Sequence, residues 1–597
     1  MNNWKMKTHY SGEYVSKEDL ILKRVPHDDK HSYKYPNHTY DIHYSKYANM
    51  NKGINLLKEH LDKNSKVSIL VDVDVDGYTS SSMLTMAIRN LSKCTIKDIH
   101  HTSKVHGLYD NIMNEIINSK CDLLIIPDAA SNDIDEIMEL SKYMDVLVID
   151  HHDISNDMYY DEYLNIQSGV CLINNQATNN EDSNPHLTGA GLTLRFLEGL
   201  YNKLGIPMGY KYYDLAMLGL IGDMADYSDL EIRNIVFRGL ENIESKLVKV
   251  ILQDKINHSI DYKPMDIGFN VNPFINAVTR MGSMEDKHNI FKALSNNDIQ
   301  TQHIMTKRYR ENGKIREKWL SVDYYTFIYN DMQTVKKEQD KQVKALEEQL
   351  YEELSDEGGI AVGLIDEEYK GITGLVANRI SRNTRKPTLL LRDRENETEL
   401  KGSARGNIRV IDDFKTWCQN TNLFTLAEGH DNAFGIGINK HNIDELIQRS
   451  MNVAASTEKI YTVDMIFDDN NFPSHKDIEE FYDLQYLTGG SVDELLLGFN
   501  KFTIDKRNII SYDSVTKIEM KHWRDNYEFI IFNDNKRTAA MLDQMFNPLV
   551  QVDIIGKPSK TCFRGKETIQ VIVEDIQIHK EDNIISELPT KITKNIF

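Results

Sequence analysis

Three short acidic runs carry the residues best suited to chemistry. Asp72, Asp74 and Asp76 alternate in Asp72-Val-Asp-Val-Asp-Gly77, Asp128 follows Pro127, and Asp150-His151-His152-Asp153 sets two imidazoles among carboxylates. Each run follows an apolar, β-branched stretch: Val67 to Val71, Leu123 to Ile126 and Val146 to Ile149. Such stretches, alternating with helical patterns at Ser81 to Leu91 and Ile134 to Ser141, predict a parallel, doubly wound sheet. Strand ends of a parallel sheet share one edge, where open α/β folds bind ligands. The pattern therefore predicts a crevice gathering six or seven carboxylates and two imidazoles. Unpaired, these acids repel one another, and divalent metal resolves the conflict. Mixed carboxylate and imidazole donors suit Mn²⁺ or Mg²⁺ better than structural zinc.

A fourth cluster, Gly219-Leu-Ile-Gly-Asp223-Met-Ala-Asp226, follows an apolar stretch and offers Asp223 or Asp226 to complete two adjacent metals. A metal pair clamps the attacking and leaving oxygens of a phosphoryl transfer and activates water near neutral pH, so phosphoester hydrolysis is the leading chemistry. Two blander readings compete. D-x-D-x-D-G also opens an EF-hand loop, but its twelfth position is Met83 rather than Glu, and a strand precedes it. Helix capping accounts for one carboxylate and not for three alternating ones.

The elements that must position these groups belong to a long chain. Its 597 residues predict roughly three to five folded units, and 40% hydrophobic residues exclude wholesale disorder. No run approaches the ~18 apolar residues of a membrane span, and the N-terminus has no secretory pattern, so no membrane association is expected. Five scattered cysteines, at 94, 121, 171, 418 and 562, fit neither a disulfide framework nor a thiolate zinc site and suit a reducing cytoplasm. The net charge of −21 argues against a generally basic nucleic-acid coat.

The first 60 residues read as a polar N-terminal extension, and residues 61–300 as the acidic α/β domain. Residues 301–355 read as a long, charged connecting helix, with Lys307, Arg308, Arg310, Lys314, Arg316 and Lys318 crowding its start. A smaller α/β unit is expected over 356–460, from the strands Ile360 to Ile365 and Thr388 to Leu391 and the Gly-rich Gly429 to Gly437. Beyond a polar linker, residues 461–597 show short strand patterns that predict a small all-β barrel.

Together these pieces resemble the DHH phosphoesterase superfamily, specifically RecJ-type single-strand-specific exonucleases. Asp72 to Gly77, Asp128, Asp150-His-His152 and Gly222-Asp-Met224 are similar to the four DHH motifs in order. Phe274-Ile-Asn-Ala-Val-Thr-Arg-Met-Gly282 resembles the segment that supplies Asn and Arg to the phosphate backbone. Lys370 to Arg379, Lys401-Gly-Ser-Ala-Arg405 and Glu428 to Gly435 resemble the companion DHHA1 domain. Phe563-Arg-Gly565 and Val571 to Asp575 resemble the oligonucleotide-binding (OB) barrel. The likeness runs over about residues 60 to 580.

The resemblance implies two divalent cations, Mn²⁺ first and Mg²⁺ second. Asp72, Asp74 and Asp128 would hold one, and Asp76, Asp128, His151 and Asp223 the other. Asp150 would orient the histidine pair, His152 would approach the scissile phosphate, and Arg280 would neutralise it. Asn276, Arg379, Ser403, Arg405 and His430 would bind substrate, the last two with Ser403 gripping a terminal nucleotide. The implied activity is 5′→3′ hydrolysis of single-stranded DNA to nucleoside 5′-monophosphates, in repair or recombination. A single-strand-binding protein or a helicase is the implied protein partner. The alternatives are a phosphodiesterase of short oligoribonucleotides or cyclic dinucleotides, and an inactive DNA-binding scaffold. The family's Gly-Gly-His is Glu428-Gly-His430 here, placing an acid beside the histidine that the resemblance assigns to phosphate binding. In a chain this acidic, strand binding is expected to use local patches such as Lys557, Lys560, Arg564 and Lys566, with Phe502, Trp523, Tyr527 and Phe563 as stacking candidates.

Overall fold

The computed structural model describes residues 4–8, 16–102, 106–154, 169–177, 182–256, 262–311, 314–353, 358–393, 397–407, 410–453, 459–468, 471–512, 515–522, 525–532, 548–563 and 566–579. The chain divides into two compact units, one of residues 36–456 and one joining residues 1–35 to 457–597.

In the first unit, strands β1 (Lys66–Val71), β2 (Thr95–His100), β3 (Leu123–Pro127), β4 (Asp145–Asp150) and β5 (Val170–Asn174) form an all-parallel sheet. Their order is β2-β1-β3-β4-β5. Ile69, Ile125, Leu147 and Ile173 are completely buried, as continuous apolar runs require when helices cover both faces. Helix α1 (Val75–Leu91) springs directly from β1, and helices α2 (Gly189–Leu204), α3 (Tyr213–Gly222) and α4 (Asn272–Met281) complete the wall around the strand ends.

The expected connecting helix is real over half its length only. Helix α5 spans Tyr324–Glu353, and Gln302–Glu311 and Lys314–Asp323 are instead the two strands of an antiparallel hairpin. The basic residues suggested a charged helix, but Asn312-Gly313 between the strands is the loop dipeptide that favours a hairpin. After α5, strands β6 (Ala361–Asp366), β7 (Thr388–Asp393), β8 (Glu399–Arg405), β9 (Phe424–His430) and β10 (Ala433–Asn439) form a mixed sheet in the order β9-β10-β8-β7-β6. Helix α6 (Thr373–Thr384) packs on it through Val376, Ala377 and Ile380.

The first 60 residues are no single extension. Met50–Lys63 is an amphipathic helix whose Met50, Ile54, Leu57 and Leu61 enter the core beneath the parallel sheet. Trp4–Thr8 instead pairs in parallel with Lys459–Val463 in the other unit. The expected polar linker there contains the helix His475–Asp483, with Ile478 and Phe481 buried.

That second unit carries a seven-stranded sheet running from Met465–Phe467 through Leu497–Asp505, Leu549–Phe563, Lys566–Ile578, Asp525–Phe532 and Val515–His522 to Ile509–Ser511. Among the described residues its end strands do not pair with each other, so the ladder is open. Of the eight residues expected to form a nucleic-acid patch on it, the four with described side chains are engaged elsewhere. Phe502 and Tyr527 are core residues, Lys557 pairs with Glu494 and Glu574, and Lys560 pairs with Glu479 and Glu567. Trp523 and Arg564 lie outside the described residues, as do the side chains of Phe563 and Lys566.

Candidate metal centre

Strands β1, β3 and β4 are adjacent, so their C-terminal acids meet at one edge of the sheet. Asp72, Asp76, Asp128 and Asp150 are almost wholly buried. Ligand atoms of Asp72, Asp74 and Asp128 lie within 4.8 Å of one another. His151 Nε2 sits 3.2 Å from Asp128 Oδ1, 3.7 Å from Asp223 Oδ2 and 3.9 Å from Asp76 Oδ2. The geometry thus brings together both expected ligand groups with Asp128 in common. Asp226 instead accepts from the Ser228 amide at 2.9 Å. Helix capping has a share in the site too, since Asp74 Oδ1 accepts from the Gly77 amide at 3.1 Å at the start of α1.

The chain holds these carboxylates in place at some conformational cost. Asp128 adopts φ +65°, a left-handed conformation unusual outside glycine and typical of functional strain. A Cβ on Gly189 would lie 2.5 Å from Asp128 Oδ1, and one on Gly219 would lie 2.2 Å from Asp76 Oδ1, so both helices approach only as glycine. Asp76 Oδ1 accepts from Thr188 Oγ1 at 2.9 Å and from the Ala190 amide at 3.0 Å, which aims Oδ2 into the centre.

The electrostatics are those of a site built for cations. Burial and the neighbouring Asp76, Asp74 and Asp72 push Asp128 well above the carboxylate range. Burial also raises Asp76 to about 6 despite His151, and burial together with Asp72 raises Asp74. Asp72 Oδ1, Asp76 Oδ2 and Asp128 Oδ1 are buried without a hydrogen-bond partner. Buried carboxylate oxygens left without partners in two adjoining groups fit divalent cations, which would supply what the protein withholds.

Asp150 lies behind the centre. Its Oδ1 accepts from the His151 amide at 2.8 Å and from His152 Nδ1 at 2.8 Å, and its Oδ2 accepts from the Ser131 amide at 2.9 Å. Burial disfavours charge on His152, but Asp150 outweighs it and pushes the imidazole up to about 10. His152 also falls in one group with Asp128 and His151, so its place beside the metals is as well marked as a place beside substrate.

Asn276 and Arg280 stand one turn apart on α4, and Asn276 Oδ1 and Arg280 Nε are buried without protein partners. Across from them, a Cβ on Gly374 would lie 2.6 Å from Arg405 Nη2 and 3.6 Å from Ser403 Oγ. Burial, with Arg280 nearby, lowers Arg405 to about 10. Two guanidiniums this close to one another favour an anion between them. Arg379 goes elsewhere: it is half-exposed and faces Glu347 at 3.5 Å and Asp340 at 3.8 Å on α5. His430 ends β9, and its side chain lies outside the described residues.

Two histidines escaped the sequence reading. His106 Nδ1 is 2.6 Å from Asp72 Oδ2, and the buried His101 Nε2, itself unpartnered, is 3.9 Å from Asp72 Oδ1. The only available signal was that both follow β2 on the same sheet edge. A further group, Asp98, His100 and His288, needs no metal. Asp98 Oδ2 accepts from His100 Nε2 at 2.9 Å and His288 Nδ1 at 2.8 Å, and Tyr78 Oη lies 3.3 Å from His100 Nδ1.

Residues 66–220 match the model of the DHH family, N-terminal domain. The chain is 29% identical over 563 residues to the putative SPbeta prophage-derived single-strand DNA-specific exonuclease YorK of Bacillus subtilis, covering 90% of this chain and 92% of that protein. It is 23% identical over 554 residues to the single-stranded-DNA-specific exonuclease RecJ of Haemophilus influenzae, covering 88% and 90%. The crystal structure of RecJ in complex with Mn²⁺ from Thermus thermophilus superposes with a TM-score of 0.66 at 16% identity, over 96% of this chain and 79% of that one. That likeness is one of fold.

Proposed function

Starting from a chain whose residues 66–220 match the DHH-family model, we propose a metal-dependent exonuclease that hydrolyses single-stranded DNA from the 5′ end to nucleoside 5′-monophosphates, in repair or recombination. A hydrolase acting on phosphoesters is the reading common to the DHH match and to the relatives' names. The observation that carries it is the set of orphaned carboxylate oxygens on Asp72, Asp76 and Asp128, with Arg280 close enough to feel Asp74 and Arg405 close to Arg280.

Asp72, Asp74 and Asp128 would hold one divalent ion, and Asp76, Asp128, His151 and Asp223 a second, with Mn²⁺ preferred and Mg²⁺ accepted. Bound there, the ions would neutralise the phosphate and acidify water. The protein's own residues do the rest. Asp150 fixes the tautomer and tilt of His152, which offers a proton-bearing nitrogen to a phosphate oxygen. Arg280 neutralises the scissile phosphate with Asn276 as a polar contact beside it, and Arg405 holds the terminal nucleotide close by. Ser403 and His430 grip the terminal nucleotide, and a companion domain of DHHA1 type and a C-terminal domain of OB type supply the remaining strand contacts.

Digestion of 5′- and 3′-end-labelled single strands with Mn²⁺, beside an Asp74→Ala control, tests the reading. Loss of label as mononucleotide from the 5′ end, abolished by the substitution, is expected. Activity surviving Asp74→Ala would sink the metal-pair assignment, and preference for di- or trinucleotides would replace the DNA substrate with short oligonucleotides.

A further inference from the structure

Helix α3 ends in a Schellman turn just beyond Gly222. The Ala225 amide donates to the Leu220 carbonyl at 2.9 Å, and the Met224 amide to the Ile221 carbonyl at 3.3 Å. Met224 occupies the left-handed position of that turn, with φ +55°. Glycine takes this conformation freely, whereas a Cβ there crowds the following carbonyl. The turn gains nothing in exchange. Its apolar contact falls by position to Ala225 and Leu220, both buried, while Met224 is 86% exposed. A side chain that strains its backbone and covers no core points to a use outside the fold.

The position of Met224 supplies that use. It follows Asp223, whose Oδ2 lies 3.7 Å from His151 Nε2, and neighbouring Cα atoms are about 3.8 Å apart. A Cβ on Gly222 would lie 3.3 Å from Asn272 Nδ2, one turn before Asn276 on α4. The end of α3 is thus shared by the metal-binding acids and the helix that carries Asn276 and Arg280. A nucleotide whose phosphate sits among these groups brings its base beside Met224.

Charge and side-chain chemistry select the base over the backbone. Asp223 and Asp226, on either side of Met224 in the chain, disfavour a phosphate at this point and leave the uncharged ring as the part that fits. An unbranched, polarizable thioether packs favourably on aromatic rings and adapts to their shape. We propose that Met224 is a substrate-binding residue that packs on the base beside the scissile phosphate, holding single strands without reading their sequence. The choice of ligand rests on the exonuclease reading.

The test is steady-state digestion of oligo-dT by the full, Mn²⁺-loaded chain, beside the same strand carrying abasic residues at both ends. Met224→Gly is expected to raise KM on oligo-dT about fivefold with kcat little changed, the scale of a thioether–ring contact. Met224→Leu should keep most of the affinity. On the abasic strand Met224→Gly should change KM little. Its melting temperature should be no lower than that of the wild type, because glycine relieves the left-handed turn. A KM unchanged by Met224→Gly, or raised equally on both strands, would overturn the proposal while leaving the exonuclease reading intact. So would a lower melting temperature, which would make the side chain part of the fold. A wild type that digests no single strand would overturn both.

Discussion

His106 Nδ1 lies 2.6 Å from Asp72 Oδ2, although 34 residues separate them in the chain. Burial would raise the Asp72 carboxyl, but His106 and His101 outweigh it and hold it below the ordinary range. Asp72 is thus kept ionised and aimed from behind by an imidazole. His106→Ala is expected to weaken Mn²⁺ binding at one of the two positions by about 10- to 100-fold, as lost supporting contacts to a ligand do. Isothermal titration should show two unequal sites in the variant, with the second unaffected.

Asp150 is fully buried and organises both histidines of its motif. Asp150→Asn preserves shape but removes the charge that raises His152. Stability is expected to fall by about 2 kcal/mol, the scale of a charge-assisted hydrogen bond. The His152 imidazole should then titrate near the ordinary value of about 6.5 rather than about 10, as read by NMR.

The centre was largely legible because its acids end adjacent strands and keep short, ordered spacings. Asp72 to Asp76, Asp128 and His151 needed only the parallel-sheet rule to be brought together, whereas Asp223, just past helix α3, was chosen over Asp226 only by the family resemblance. His101, His106 and Thr188 were not legible: single residues on connecting segments have no periodicity, and only the folded chain brings them to Asp72 and Asp76. The hairpin was missed for a different reason, since its basic residues obscured the alternation and the Asn312-Gly313 signal. Arg379 misled because a motif records residue type and not the two acids of α5 waiting for it.

Acid and metal compete for the same oxygens, which sets a pH dependence. Asp76 is raised to about 6, and Asp128 is raised well above its ordinary range. A carboxyl whose folded pKa exceeds its unfolded one stabilises the fold at low pH and loses that contribution as pH rises through the folded value. The contribution of these two carboxyls to the metal-free protein should therefore fall from pH 5.5 to pH 7, against the opposite trend of the buried His101, and Asp76→Asn should remove its share of that fall. Mn²⁺ should reverse the trend, because binding requires the deprotonated oxygens. Scanning calorimetry with and without EDTA across pH 5 to 8, on wild type and Asp76→Asn, checks both signs, and an identical slope in the metal-free pair would contradict the charge assignment.

Arg280 lies close enough to Arg405 to lower it, and partial burial lowers both guanidiniums. An anion bridging them removes the repulsion, so the two arginines should differ in kinetics by what each touches. Arg280, whose charge also feels Asp74 beside the metals, is placed to act on the reacting phosphate. Arg280→Ala is expected to cut kcat about 10²- to 10³-fold with little change in KM, the loss typical of a group that stabilises developing charge. Arg405, on β8 beside Ser403, is placed to hold the terminal nucleotide. Arg405→Ala should act mainly through KM, raised about tenfold, as removal of uniform binding does. Steady-state digestion of an oligo-dT series separates the two, and an Arg280 variant that loses only KM would move the reacting phosphate away from α4.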